Sequence, residues 1–134
     1  MRFLQRLWIN PLIFASLLFS LPVSSSPEYT LSVFEFIQEF NANSIVAGDK
    51  FMGKRIKLTN GLITSINDSI IGNEFVSVGI KPRYNYTYNS VKCNHSRNEE
   101  IIRLLRSGFY IEVTGTLKSE ESGISFNNCV YSTK

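Results

Sequence analysis

The chain has one histidine, His95, and two cysteines, Cys93 and Cys129. These are too few to complete a four-coordinate metal centre, so no metal site is expected. No serine or cysteine motif surrounds His95, and a nucleophile–base pair has nothing to build on. The expected role of His95 is that of a surface or hydrogen-bonded histidine on a strand. A glycine-rich phosphate loop and a dinucleotide fingerprint are both missing, and no cofactor is expected. Glu99 and Glu100 do not make an acid/base pair, because adjacent residues of a helix do not face each other. They read as charge in a helical first turn. The chain is therefore expected not to be an enzyme, with a small hydrolase as the weakest of the readings left open.

Charge of one sign is also scarce. The full chain carries a formal net charge of +3. Once Arg2 and Arg6 are taken from the 14 basic residues, the remainder exceeds the 11 acidic ones by one. A polynucleotide is held mainly by lysines and arginines that neutralise phosphates, so nucleic acid is not expected as the main partner. Arg103 and Arg106 read as a solvated face, with anion binding as the alternative.

Apolar runs are short. Leu7 to Val23 is interrupted at Asn10-Pro11 and falls below the ~20 residues a membrane span requires. With Arg2 and Arg6 before it and Val23-Ser24-Ser25 after it, residues 1–25 read as a signal peptide cleaved after Ser25. An uncleaved anchor is the alternative, and no cysteine stands at the junction to take a lipid. The exported product would be periplasmic or secreted, with no stable membrane span, and residues 26–134 form one domain. In an oxidising compartment Cys93 and Cys129, the only pair, are expected to join, free thiols being the alternative. Three N-x-S/T triplets at Asn67, Asn85 and Asn94 are discounted as chance.

What is present is a change of period. Leu31, Phe34, Ile37 and Phe40, with Ile45 and Val46 beyond, mark one face of a helix over about 31–47. Thr30 or Ser32 can cap the helix, Ser32 with Glu35 as a capping box, and Gly48 ends it. Phe51 and Met52 act as an apolar latch, and Gly53 turns the chain. From Lys54 the period is two: Ile56 and Leu58, then Leu62, Thr64 and Ile66. Asn60-Gly61 in mid-run predicts a bulge or bend. Further strands are expected at 74–81, 90–96, 109–122 and 123–132. Residues 67–73 read as a turn, and a helix over 98–108 is capped by Asn98 and closed by Gly108. The class is mainly β with two helices. A five-stranded OB-fold barrel preceded by an N-terminal helix fits this order, and a generic α+β sheet is the alternative.

The stretch "FNANSIVAGDKFMGKRIKLTNGLITSI" resembles the opening of the tRNA-anti-like family of OB-fold proteins, through Asn43, Ala47, Asp49, Lys50, Phe51, Gly53 and Lys54. "VKCNHS", "LLRSGFYIEVTGTL" and "ISFNNCVY" resemble that family's third strand, its passage from helix to fourth strand, and its last strand. The resemblance covers nearly all of residues 26–134 and departs from the family around Tyr84–Tyr88. It implies that Phe34, Ile37 and Phe40 pack on the barrel. It also implies that the strands bearing Cys93 and Cys129 are neighbours, so that the two can meet. It names no ligand.

Tyr84, Tyr86 and Tyr88, with Lys81 and Arg83, are the candidate ligand- or partner-binding residues, because they join stacking surfaces to some positive charge. Covering a hairpin is their alternative role. The expected function is that of an exported non-enzymatic OB-fold binding module contacting a protein or an envelope component. A barrel for single-stranded nucleic acid or oligosaccharide is the second reading.

Overall fold

The computed structural model describes residues 26–69, 72–84, 89–119 and 123–133. The expected leader, residues 1–25, lies outside them. The capping box is present: Ser32 Oγ accepts from the Glu35 N–H at 3.0 Å, and Glu35 Oε1 accepts from the Ser32 N–H at 2.9 Å. It opens helix α1 at Val33–Ala42. Leu31 therefore precedes the helix, in a short strand β1, Tyr29–Ser32. The buried face of α1 is Val33, Phe36, Ile37 and Phe40, an i, i+3, i+4, i+7 set. This corrects the expected stripe, since Phe36 is fully buried and Phe34 only partly.

The single helix over 31–47 is also corrected. Asn43 takes an extended conformation, φ −165° and ψ 99°, ending α1 and capping a second helix, α2, Ser44–Phe51. Its Oδ1 accepts from the N–H groups of Ile45 and Val46, both at 3.1 Å. The break re-aims the chain. Ile45 and Val46 face outward, and Gly48 lies buried within α2 rather than ending it. Phe51 is buried as expected, whereas Met52 is exposed. Gly53 makes the turn with φ +76°, a conformation that disfavours any side chain.

The strands that follow are β2 (Arg55–Ser69), β3 (Gly72–Pro82), β4 (Val91–Ser96), β5 (Tyr110–Ser119) and β6 (Ile124–Thr133). A four-residue helix α3, Ile101–Leu104, lies between β4 and β5. The protein is mainly β, with one mixed sheet ordered β1-β2-β3-β4-β6-β5. β5 also pairs back onto β2, so the hydrogen bonding runs round a ring. β1–β2 and β4–β6 are parallel and the other pairs antiparallel. Six strands and three helices among the described residues replace the expected five and two. The extra helix comes from splitting the segment read as one helix, and the extra strand from that segment's first two residues together with Tyr29 and Thr30 before it.

β2 bends where expected. Ile56 and Leu58 face the core, and the register with β5 then shifts between Leu58 and Gly61. One extra residue exchanges the faces of a strand. Hence Ile63 is buried, while Leu62 is only partly so and Thr64 is exposed, the reverse of the expected alternation. A Cβ on Gly61 would stand 3.0 Å from Ile80 Cγ2 and 3.3 Å from the Ile111 side chain. A side chain here would require these neighbours to give by a few tenths of an ångström, at the point where β3 and β5 both reach β2 through Gly61↔Pro82 and Gly61↔Ile111. The core inside the ring is Ile56, Leu58, Ile63, Val78, Ile80, Val91, Ile111, Val113, Leu117 and Phe126, joined by the buried face of α1 and by Phe51.

The helix expected over 98–108 shrinks to α3. Glu100 stands at its N-cap position, and no side chain caps it. Cys93 and Cys129 are joined, with Cα atoms 6.2 Å apart. No helix among the described residues is long and apolar enough to cross a membrane.

Candidate functional site

The bend in β2 also builds a surface. Asn60 sits at its apex with φ 54°, and its carbonyl accepts from the Arg83 N–H at 2.8 Å. Leu62 pairs with Lys81 of β3 on one side and with Tyr110 of β5 on the other. The end of β3 and the start of β5 are thus drawn together across β2. Val78, Ile80 and Pro82 point inward along β3, which leaves Lys81 and Arg83 on the outward face.

The Arg83 guanidinium lies 4.0 Å from the centroid of the Tyr110 ring and 5.2 Å from that of Tyr84. All three residues are exposed, the tyrosines by 58% (Tyr84) and 48% (Tyr110), a large area for aromatic side chains in water. Two clefts flank Asn60. One, of about 50 Å³, is lined by Ser32, Phe34, Asn60, Pro82 and Tyr84. The other, of about 10 Å³, lies against Arg83, Tyr110 and Glu112. The larger admits the tip of a side chain; small-molecule sites enclose roughly 300–1,000 Å³.

Of the candidate residues, the structure brings Arg83 and Tyr84 together and sets Lys81 on the same face. Tyr86 and Tyr88 lie outside the described residues. Tyr110 was not among the candidates. Its place follows from the pairing of β5 with β2, which no local pattern announces.

The second polar cluster centres on a buried histidine and opens to solvent at Glu99. His95 is 3% exposed, so it is a core residue rather than a surface one. Its Nδ1 lies 3.1 Å from Glu99 Oε1, and its Nε2 lies 2.6 Å from the Tyr131 hydroxyl. A carboxylate accepts, so Nδ1 carries the proton, and in the neutral ring Nε2 accepts from Tyr131. Glu99 does not serve a helical first turn as expected. It precedes α3 and folds back to accept from the Ser96 N–H at 2.7 Å. A signal for the His95–Tyr131 contact was present. β4 and β6 run in the same direction, and each residue lies two positions beyond a bridged cysteine.

Burial raises the pKa of Glu99. The hydrogen bonds from His95 and the Ser96 N–H, together with the charge the His95 ring carries when protonated, outweigh it, and the net position is below the ordinary 4.5. Burial, then the Glu99 charge, push the Tyr131 hydroxyl well above the usual tyrosine range and keep it a donor. A carboxyl depressed on folding stabilises the fold above its unfolded pKa, and the gain is lost as pH falls through the folded value. The Glu99 contribution is therefore complete above pH 4.5 and disappears below it. Denaturation midpoints followed downward from that pH are expected to fall less steeply for Glu99→Gln than for the parent. Equal slopes would remove Glu99 from the acid response.

No family model matches the chain, and no curated protein matches it. Among solved structures, the crystal structure of a "putative nucleic acid-binding lipoprotein" from Klebsiella pneumoniae superposes with a TM-score of 0.66, at 22% identity, covering 78% of this chain and 91% of that one. At that identity the likeness is one of fold.

Proposed function

We propose that this protein is an exported, non-enzymatic binding module of the OB-fold class, akin to the tRNA-anti-like family, which contacts a protein or an envelope component through Arg83, Tyr84 and Tyr110. The observation that carries the reading is the guanidinium stacked 4.0 Å from Tyr110 on an open face. Tyrosine and arginine are the residue types that concentrate binding energy at protein contacts. The ring-like sheet, the bent β2 and the helix between β4 and β5 support the OB-fold assignment. The disulfide supports export, and so does the lipoprotein nature of the structural neighbour.

Single-stranded nucleic acid is the second reading, favoured by that neighbour's name and by rings able to stack bases. Near-neutral charge weighs against it. The discriminating experiment compares the full chain with a Tyr84→Ala/Tyr110→Ala variant in affinity capture from the envelope. Recovery of specific partners is expected to drop by about tenfold or more, the scale of losing a contact hot spot. Equal recovery by both proteins would exclude this face. Retention on single-stranded DNA that weakens steeply with salt would move the assignment to the second reading.

A further inference from the structure

Among the described residues, no hydrogen bond or ion pair takes up the Arg83 guanidinium; its contacts there are the two rings and a backbone N–H bond to Asn60. Its charged neighbours are otherwise occupied. Glu112, beside it in the smaller cleft, pairs with Lys57 at 3.3 Å, and Lys81 on the same face is itself engaged. A guanidinium stacked on a ring keeps its edge free, and that edge presents N–H donors in a fork matched to a planar oxyanion. The notch of about 50 Å³ is joined to it through Tyr84, whose ring lies 5.2 Å from the guanidinium and forms one wall; Ser32, Phe34, Asn60 and Pro82 form the others.

From this juxtaposition we infer that Arg83 is a carboxylate receptor. It takes a carboxylate of a peptide partner, and the small apolar group beside that carboxylate seats in the notch. The inference rests on the contact surface proposed above and adds its ligand chemistry. A carboxylate fits better than a nucleic-acid backbone, because one guanidinium that no described residue takes up matches one carboxylate, whereas a polynucleotide is held by several cations along its phosphates. Aromatic backing also explains why this position calls for arginine: a lysine would keep the charge and lose both the stack and the fork.

The test follows backbone amide resonances of Asn60, Gly61, Tyr84 and Tyr110 in the ¹⁵N-labelled protein, produced from the full chain in a secreting host. The probes are N-acetyl-alanine, its amide, inorganic phosphate and a dT₁₀ oligonucleotide. N-acetyl-alanine is expected to shift these signals saturably and its amide to leave them unmoved. Arg83→Lys should weaken the response by about five- to tenfold, the loss of a bidentate contact at constant charge. Equal shifts from acid and amide would overturn the inference, as would an unchanged response in Arg83→Lys. Tighter binding of phosphate or dT₁₀ would overturn it in favour of a phosphate ligand. The two levels separate in envelope capture. If Arg83→Lys recovers partners like the parent while Tyr84→Ala/Tyr110→Ala loses them, the contact surface stands and the carboxylate receptor falls. If neither variant loses them, the surface itself falls.

Discussion

Replacing Cys93 and Cys129 together with alanine is expected to lower the stability of the fold by about 3–4 kcal/mol, the chain-entropy value for closing a loop of 36 residues. The midpoint of thermal unfolding should drop by about 15 °C, given that each 1 kcal/mol shifts a domain of this size by about 4 °C or more. Alanine is the better replacement because Cys93 is buried, and a serine hydroxyl there would be left without a partner. The location adds a local effect. β4 and β6 are hydrogen-bonded from Val91↔Ile124 to Cys93↔Phe126 and no further. Beyond that point β6 turns through Asn128 at φ 55°, whose carbonyl accepts from Arg55 Nη1 at 2.7 Å. The disulfide and the His95–Tyr131 hydrogen bond are the ties that follow where the backbone ladder stops. Reduction should therefore speed amide exchange in Cys129–Thr133 before it affects β2 or β3. A stability loss below about 1 kcal/mol, with exchange unchanged, would show the bridge to be incidental.

What the sequence revealed and what it hid divide along chain distance. The Ser32–Glu35 box was legible because both partners lie within one helical turn. The bend at Asn60-Gly61 was legible because a glycine within an alternating run has few other uses. Its consequence was not. A bulge inverts the faces of everything after it, so Leu62 and Thr64 seemed core-facing by alternation and Ile63 did not, until the register was known. Asn43 reads as one more polar residue in a helix. Its role as cap depends on the extended conformation it adopts, which the surrounding helical pattern masks. At the candidate site, Arg83 and Tyr84 are consecutive and declared themselves. Tyr110 belongs with them only because β2 pairs with two strands at Leu62, a fact of topology rather than of local pattern. His95 and its partner Tyr131 are 36 residues apart, and the only pointer to their contact is indirect, the equal offset of each from a cysteine expected to be bridged.

The N-terminal helix offers the sharpest test of that lesson, because two phenylalanines two positions apart exchange roles. Phe36→Ala is expected to cost about 3–5 kcal/mol, the range for removing a fully buried aromatic side chain and leaving a cavity. The Phe36 ring lies 5.0 Å from that of Phe51, 5.1 Å from Phe40 and 5.4 Å from Phe126, at tilted angles. It therefore joins α1, α2 and β6 in one cluster, and aromatic pairs at such distances each add about 0.5–1.5 kcal/mol beyond the area they bury. Phe51 is further held by the Tyr29 ring of β1, packed edge-on at 5.1 Å, which opposes a shift of α2 into the space. Phe34→Ala, on the half-buried side of α1, is expected to cost about 1 kcal/mol, the usual scale for partial burial. Equilibrium unfolding of the two variants gives the comparison directly. If Phe34→Ala proved the costlier, α1 would be rotated from the orientation described, and the helical stripe first read from Leu31, Phe34, Ile37 and Phe40 would be the true one.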